Sequence, residues 1–281
     1  MFPKVVIGAD GSETSQDAAR IARELGLLKE SSVLVVGAFG GEDPISLNMV
    51  AKLETDAEGL ESRFRKGLES IAEPLRESGL EATLRMEVGQ PHQVLLKTSE
   101  NEAADLLVMG RRGHGAVKHI LVGSVSSKVI EESRKPVLIV PEEAQTETGV
   151  KTLFVPVDFS IDSLKALHLA KKMAKAFSAK IVLFNCVRAV YENHKDRLEK
   201  ATSQLHDLIE ELKTEGIDCE SRVVHGALLD CFVKESDEVN ASLIVMSSHG
   251  RSGARKVWLG SIAESILKKT SRPVLVVPAR A

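Results

Sequence analysis

The stretch VMGRRGHGAVKHILVGS, Val108 to Ser124, and the stretch VMSSHGRSGARKVWLGS, Val245 to Ser261, repeat one spacing 137 residues apart (246 − 109 = 137). Each follows an aliphatic run that reads as a buried strand, ADLL in the first and ASLI in the second, and each ends in Gly-Ser before a helical pattern. A strand, a glycine-rich loop and a helix N-terminus form a recipe for holding phosphate. The matched positions are Gly110/Ser247, Gly113/Gly250, Gly123/Gly260 and Ser124/Ser261, and the first copy reads G-x2-G-x9-G-S. Glycine leaves backbone N–H groups without a side chain in the way, and the helix beginning near Ser124 adds unpaired donors and the positive end of its dipole. A plainer reading makes Ser124 and Ser261 ordinary helix N-caps and the glycines turn residues only.

Outward from these loops, both halves alternate strand-like and helix-like patterns. KVVIGA, SVLVVGAF, ATLRMEV, DLLVM and PVLIVP are five strands in the first half; TLFVPV, KIVLFNCV, CESRVV, SLIVM and PVLVVP are five in the second. Between them, Ile21, Ala22, Leu25 and Leu28 share one helical face, an amphipathic stretch runs from about Leu47 to Ser78, a helix follows over Gln93 to Ala103, and Val125, Val129 and Ile130 face one way. In the second half Leu164, Leu167, Ala170, Ala174 and Phe177 form a stripe, and Glu192 to Thr214 reads as a helix. Short apolar strands alternating with helices predict an α/β fold, two tandem five-stranded parallel sheets covered on both faces, with every strand-to-helix loop at one edge. Asp10 matches Asp158 at an offset of 148, Gly89 matches Gly226 at 137, so the second copy is 11 residues shorter (148 − 137 = 11), and the deletion is expected in GGEDPISLNMV after the second strand. The polar join from Glu142 to Val150 reads as a linker, giving domains over 1–143 and 150–281.

At 281 residues the chain has room for two such domains, and 43% hydrophobic against 27% charged residues is the balance of a folded protein. Aromatics are only 4%, which predicts aliphatic cores, and a formal charge of −3 offers no field to gather nucleic acid. Cys186, Cys219 and Cys231 all lie in the second half without CxxC spacing, the usage of a reducing compartment. No apolar leader opens the chain and no apolar run approaches membrane-spanning length, so a cytoplasmic location without membrane contact is expected.

The loop spacing, the Asp at the first strand end and the closing PVLIV strand resemble the universal stress protein family, in particular its tandem members; the likeness runs from Val5 to Val277. The resemblance implies a Rossmann-like fold of the adenine nucleotide alpha hydrolase type that binds ATP, or AMP and ADP, in some branches and no nucleotide in others, with Mg as an accompanying ion. It implies that Ala9 and Asp10 sit beside adenine and ribose, that Ala38 meets adenine through its main chain, that Met109 and Gly110 line the ribose side, and that Gly113, Gly123, Ser124, Val125 and Ser126 hold phosphates. The second set is Pro156, Val157, Asp158, Cys186, Met246, Ser247, Gly250, Gly260, Ser261 and Ile262. The second copy departs from the signature at Ser247, and Ala263 stands where the first has Ser126. The resemblance also implies that the apolar last strands pair within one chain as a pseudo-dimer, with homodimerisation of chains left open.

Other conspicuous residues have plainer readings beside the functional ones. DGS and DFS are good turn and helix-start sequences, so Asp10 and Asp158 are also candidate Asx-turn residues. Arg111 and Arg112, with Arg251 and Arg255 as counterparts, either neutralise phosphate or are solvated. His114 and His249 lack ligands at metal spacing, the group Cys219, His225 and Cys231 is too sparse for a metal, and Trp258 reads as an apolar anchor for its loop. The Walker pattern is absent, and no nucleophile or metal-holding carboxylate can be pointed to. The leading expectation is a regulator that binds adenine nucleotide and an unidentified protein partner and is not an enzyme; the alternatives are a nucleotide-free interaction module and a weak ATPase.

Overall fold

A computed structural model of the chain describes residues 1–39, 44–113, 122–144, 147–188, 194–250 and 260–279, the side chains of residues 44–58, 60 and 194 excepted. It divides into two compact units, Met1–Ala144 and Gln145–Ala279.

The first unit runs β1 (Lys4–Ala9), α1 (Glu13–Glu24), β2 (Ser32–Phe39), α2 (Pro44–Glu77), β3 (Glu81–Val88), α3 (Pro91–Asn101), β4 (Leu106–Gly110), α4 (Ser124–Glu132) and β5 (Val137–Val140). Its strands are parallel in the order β3-β2-β1-β4-β5. The interior strands carry unbroken buried aliphatic runs, such as Val5, Val6 and Ile7 in β1 and Leu106, Leu107 and Val108 in β4, as a sheet covered on both faces requires. The chain builds outward from β1 through β2 to β3, then returns to the other side of β1 for β4. That reversal opens a crevice at the carboxyl ends of β1 and β4. Helix starts follow local chemistry: Ser12 caps α1 by accepting from Ser15 N at 3.3 Å, and Pro91 fills the first position of α3, where no N–H is needed.

The second unit repeats this with β6 (Thr152–Pro156), α5 (Ile161–Phe177), β7 (Lys180–Arg188), α6 (His194–Thr214), β8 (Cys219–Gly226), α7 (Leu228–Glu238), β9 (Leu243–Ser247), α8 (Ser261–Lys269) and β10 (Val274–Val277), in parallel order β8-β7-β6-β9-β10. The register repeats too: Val5 faces Leu106 across the crevice strands, and Leu153 faces Leu243.

Several expectations need correction. The cores are mostly aliphatic but hold rings in both units: Phe2 and Phe64 are buried in the first, with Phe39 edge-on to Phe64 at 5.7 Å, and Phe154, Phe184 and Phe232 form one buried cluster in the second, with ring centroids 5.2–5.6 Å apart. Leu164, counted in the helical stripe, lies in the first turn of α5 and is 39% exposed. The length difference lies in the helix after the second strand, 34 residues in α2 against 21 in α6; residues 40–43 of the expected deletion lie outside the described residues.

Candidate functional site

The candidates from the first half gather at the carboxyl ends of β1, β2 and β4 and the start of α4. Asp10 follows β1 directly. Its Oδ1 accepts from Ser12 N at 3.0 Å and from Ser12 Oγ at 2.5 Å, so the Asx turn is real and holds the cap of α1. Asp158 repeats the arrangement, accepting from Ser160 N at 3.0 Å and Ser160 Oγ at 2.6 Å. The intervening residue is left-handed in both, Gly11 at φ 81° and Phe159 at φ 64°. The second oxygen does something the sequence did not suggest. A Cβ built on Gly113 would lie 2.1 Å from Asp10 Oδ2, and one on Gly250 2.6 Å from Asp158 Oδ2. A side chain at either loop glycine would therefore require the carboxylate opposite it to shift.

Gly110 ends β4 where a Cβ would meet both Thr14 O and Arg112 O at 3.0 Å. Thr14 Oγ1 donates to Arg112 O at 2.9 Å, binding the first turn of α1 to the root of the loop. The second unit admits a side chain at this place, and Ser247 Oγ donates to His249 O at 2.5 Å. Met109, Met246 and Val157 are buried, so their side chains belong to the core. Val157 also uses both backbone groups internally, N–H to Phe184 O at 2.8 Å and carbonyl from Asn185 Nδ2 at 2.6 Å. Ala9, Ala38 and Pro156 are half-buried at their strand ends.

The start of α4 differs from the plain N-cap reading. The cap is Gly123, with φ −67° and ψ 151°, and Ser124 is the first helical residue. The cap of α8 is likewise Gly260, followed by Ser261. Gly123 N–H donates to Arg111 O at 2.9 Å, and Ser126 Oγ, buried, donates to the same carbonyl at 2.8 Å. These bonds close the neck of the loop and commit both groups. Gly260 N–H donates to Ser248 O at 3.1 Å in the second unit, where Ala263 supplies no second bond. The first intrahelical bond is Ser127 N to Gly123 O at 3.0 Å, so the N–H groups of Ser124, Val125 and Ser126 have no acceptor within the helix. Ser124 is exposed, and Ser261 and Ile262 are exposed at the matching start of α8. Three aligned donors, a glycine cap and a positive dipole end fit an anionic group.

Arg111 and Arg112 both reach Glu142, a residue that sequence reasoning left in the linker. Arg111 Nε and Nη2 lie 3.0 and 2.5 Å from Glu142 Oε2, and Arg112 Nε lies 2.6 Å from Oε1. Burial would push the Glu142 carboxyl up, but the hydrogen bonds from Arg112 and Arg111 outweigh it and hold the group at about 2. The signal that could have found Glu142 is an acid directly after the strand that pairs with β4. In the second unit, burial first and then Cys231 push the Cys186 thiol up to about 12. His114, Arg251, Arg255 and Trp258 lie outside the described residues. Among the described residues no three His, Cys, Asp or Glu side chains converge to hold a metal. A wide depression of about 540 Å³ lined by Arg65, Lys66, Glu69, Arg76 and Ala82–Leu84 lies at the start of β3, the opposite end of the sheet from these groups. No helix among the described residues is long and apolar enough to cross a membrane.

Comparison with known proteins gives one consistent answer. A family model described as the universal stress protein family matches residues 1–141 and again 149–278. Universal stress protein MJ0577 of Methanocaldococcus jannaschii is 31% identical over 154 residues, spanning 50% of this chain and 95% of the relative. The crystal structure of a universal stress protein from Archaeoglobus fulgidus covers 98% of this chain and 96% of that chain at 22% identity with a TM-score of 0.75, a likeness of fold. A universal stress protein solved in complex with cAMP is 29% identical, covering 45% of this chain and 95% of that chain with a TM-score of 0.37.

Proposed function

From the premise that the chain belongs to the universal stress protein family, as a tandem of two family domains, we propose that it is a cytoplasmic stress-response regulator whose first domain binds adenine nucleotide. In this reading the phosphates rest on the N–H groups of Ser124, Val125 and Ser126 and on the exposed Ser124 hydroxyl, and the half-buried ends of β1 and β2 at Ala9 and Ala38 take the adenine. Asp10 orders the turn beside the ribose, with Gly110 packed against Thr14 and Arg112 and Gly113 against Asp10. Gly123 and Ser126 Oγ close the loop neck rather than touch the ligand. The single observation that supports the reading is the row of three donors at the start of α4, without acceptors in the helix and beside the crevice where the strand order reverses. The reading is one of binding, with weak ATP hydrolysis as the alternative.

A second reading applies to the second domain, as a nucleotide-free interaction module. Ile161 is 77% and Ile262 47% exposed at its rim, where the first domain carries Glu13 and Val125. Both readings are tested by denaturing the purified full chain and separating released nucleotide, then titrating ATP and AMP calorimetrically. One site of binding supports the division of labour, two sites extend the first reading to both domains, and no uptake of either nucleotide overturns it.

A further inference from the structure

The two units differ at one pair of facing positions in a way that the fold does not demand. Ala38 pairs across the sheet with Glu87, two residues before Gly89, and Cys186 pairs with Val224, two residues before Gly226. A Cβ on Gly89 would lie 3.1 Å from Val94 Cγ2, and one on Gly226 2.8 Å from Cys231 Sγ. Positions 38 and 94 of the first unit therefore correspond to 186 and 231 of the second. The first unit fills this corner with alanine and valine; the second fills it with two thiols.

The thiols flank one residue. Cys186 Sγ lies 3.8 Å from the carbonyl oxygen of Gly226, and a Cβ built on that glycine would lie 2.8 Å from Cys231 Sγ. Both are free and half-buried, within reach of a small solute. The third cysteine is at the far end of the same strand: Cys219 begins β8 and Gly226 ends it, seven residues on and so about 23 Å away at about 3.3 Å per residue. Its Sγ faces Ile209 O at 3.7 Å instead.

We propose that Cys186 and Cys231 form a reversible modification site, a dithiol that a small-molecule disulfide such as oxidised glutathione converts into a disulfide within the second domain. Cys231 as thiolate attacks one sulfur of the small disulfide, forming a mixed disulfide and expelling one thiolate, which takes up a proton. Cys186 then attacks the Cys231 sulfur, gives up its proton, and expels the second small thiol. Two electrons and two protons pass from the cysteines to the reagent, and no other reactant is needed. The order follows from burial, which keeps Cys186 protonated and makes it the weaker first nucleophile. A disulfide that forms and opens is the kind expected in a reducing compartment.

The test uses the full chain equilibrated in glutathione buffers from reduced to oxidised, quenched by alkylation and mapped by peptide mass spectrometry. The expected result is loss of two of the three reactive thiols and a cross-linked peptide pair holding Cys186 and Cys231, with Cys219 still alkylated. Cys186→Ala copies the residue of the first unit and should trap glutathione on Cys231; Cys231→Val, the other copy, should leave Cys186 reduced. Thermal unfolding of both variants checks that they are folded. Three alkylatable thiols at the oxidised end of the series, a bond to Cys219, or only interchain disulfides would overturn the proposal.

Discussion

Replacing Ser124 with proline isolates the donor on which the nucleotide reading turns. Ser124 is the first residue of α4, and its N–H has no acceptor in the helix, so proline removes a group the helix does not use. The preceding Gly123, at φ −67° and ψ 151°, already has the extended conformation that a residue before proline adopts. The fold should therefore lose no more than about 0.5 kcal/mol, as for a surface substitution. A hydrogen bond to a charged group contributes about 1.5–3 kcal/mol, and 1.4 kcal/mol is tenfold in affinity. Ser124→Pro should thus weaken ATP and AMP binding by about 10- to 100-fold relative to Ser124→Ala, which keeps the N–H and loses only the hydroxyl. Calorimetric titration of both variants beside the parent chain reads the difference. Equal affinities of the two variants, with unfolding temperatures like the parent chain, would refute the assignment of the α4 amides as the phosphate contact.

The Glu142 cluster makes a prediction about acid stability. Its carboxyl titrates at about 2 when folded against an ordinary 4.5, so its stabilisation is complete above pH 4.5 and is lost as pH falls from there towards 2. The shift bounds the effect at about 3 kcal/mol, and screening at a partly exposed cluster lowers it to about 1–2 kcal/mol; Glu142→Gln should flatten that part of the urea-unfolding profile by this amount, and an unchanged profile would show that the cluster adds nothing. Gly113→Ala should destabilise by about 1–3 kcal/mol through overpacking against Asp10, more than Gly250→Ala because its Cβ lies closer to the carboxylate, 2.1 against 2.6 Å. Adding Asp10→Ala should recover part of that loss, and strict additivity in the double-mutant cycle would count against the clash. Ser12→Ala and Ser160→Ala each remove an N-cap and should cost about 1 kcal/mol in chemical denaturation; no measurable loss at either site would show the caps to be idle.

The strands, the tandem repeat and the aspartates were legible because each rests on local pattern: buried aliphatic runs, a doubled loop spacing, and Asp-x-Ser before a helix. The contacts that were not legible are remote in sequence. Glu142 meets Arg111 and Arg112 across 31 and 30 residues (142 − 111 = 31; 142 − 112 = 30), and its place just past β5 becomes a signal only once β5 is known to lie beside β4. The conflict between Asp10 and a side chain at 113 likewise depends on β1 and β4 being neighbours, which composition does not reveal. The placement of the cap on Gly123 rather than Ser124 is a matter of one residue's backbone angles, and serine is the better capping residue on propensity alone. The phenylalanine cluster was hidden by averaging, since a low aromatic fraction says nothing about where the few rings collect.

The closed neck has a consequence for how such a protein diverges. Because Arg111 O and Gly123 N–H bind each other, as do Ser248 O and Gly260 N–H, the segment between each pair enters and leaves the scaffold at one point. What the fold asks of each bracket is therefore local: a glycine facing the aspartate, at 113 and at 250, while the neck bonds themselves involve no side chain from inside the bracket. The single chain already carries two texts in corresponding brackets, GHGAVKHILV and GRSGARKVWL.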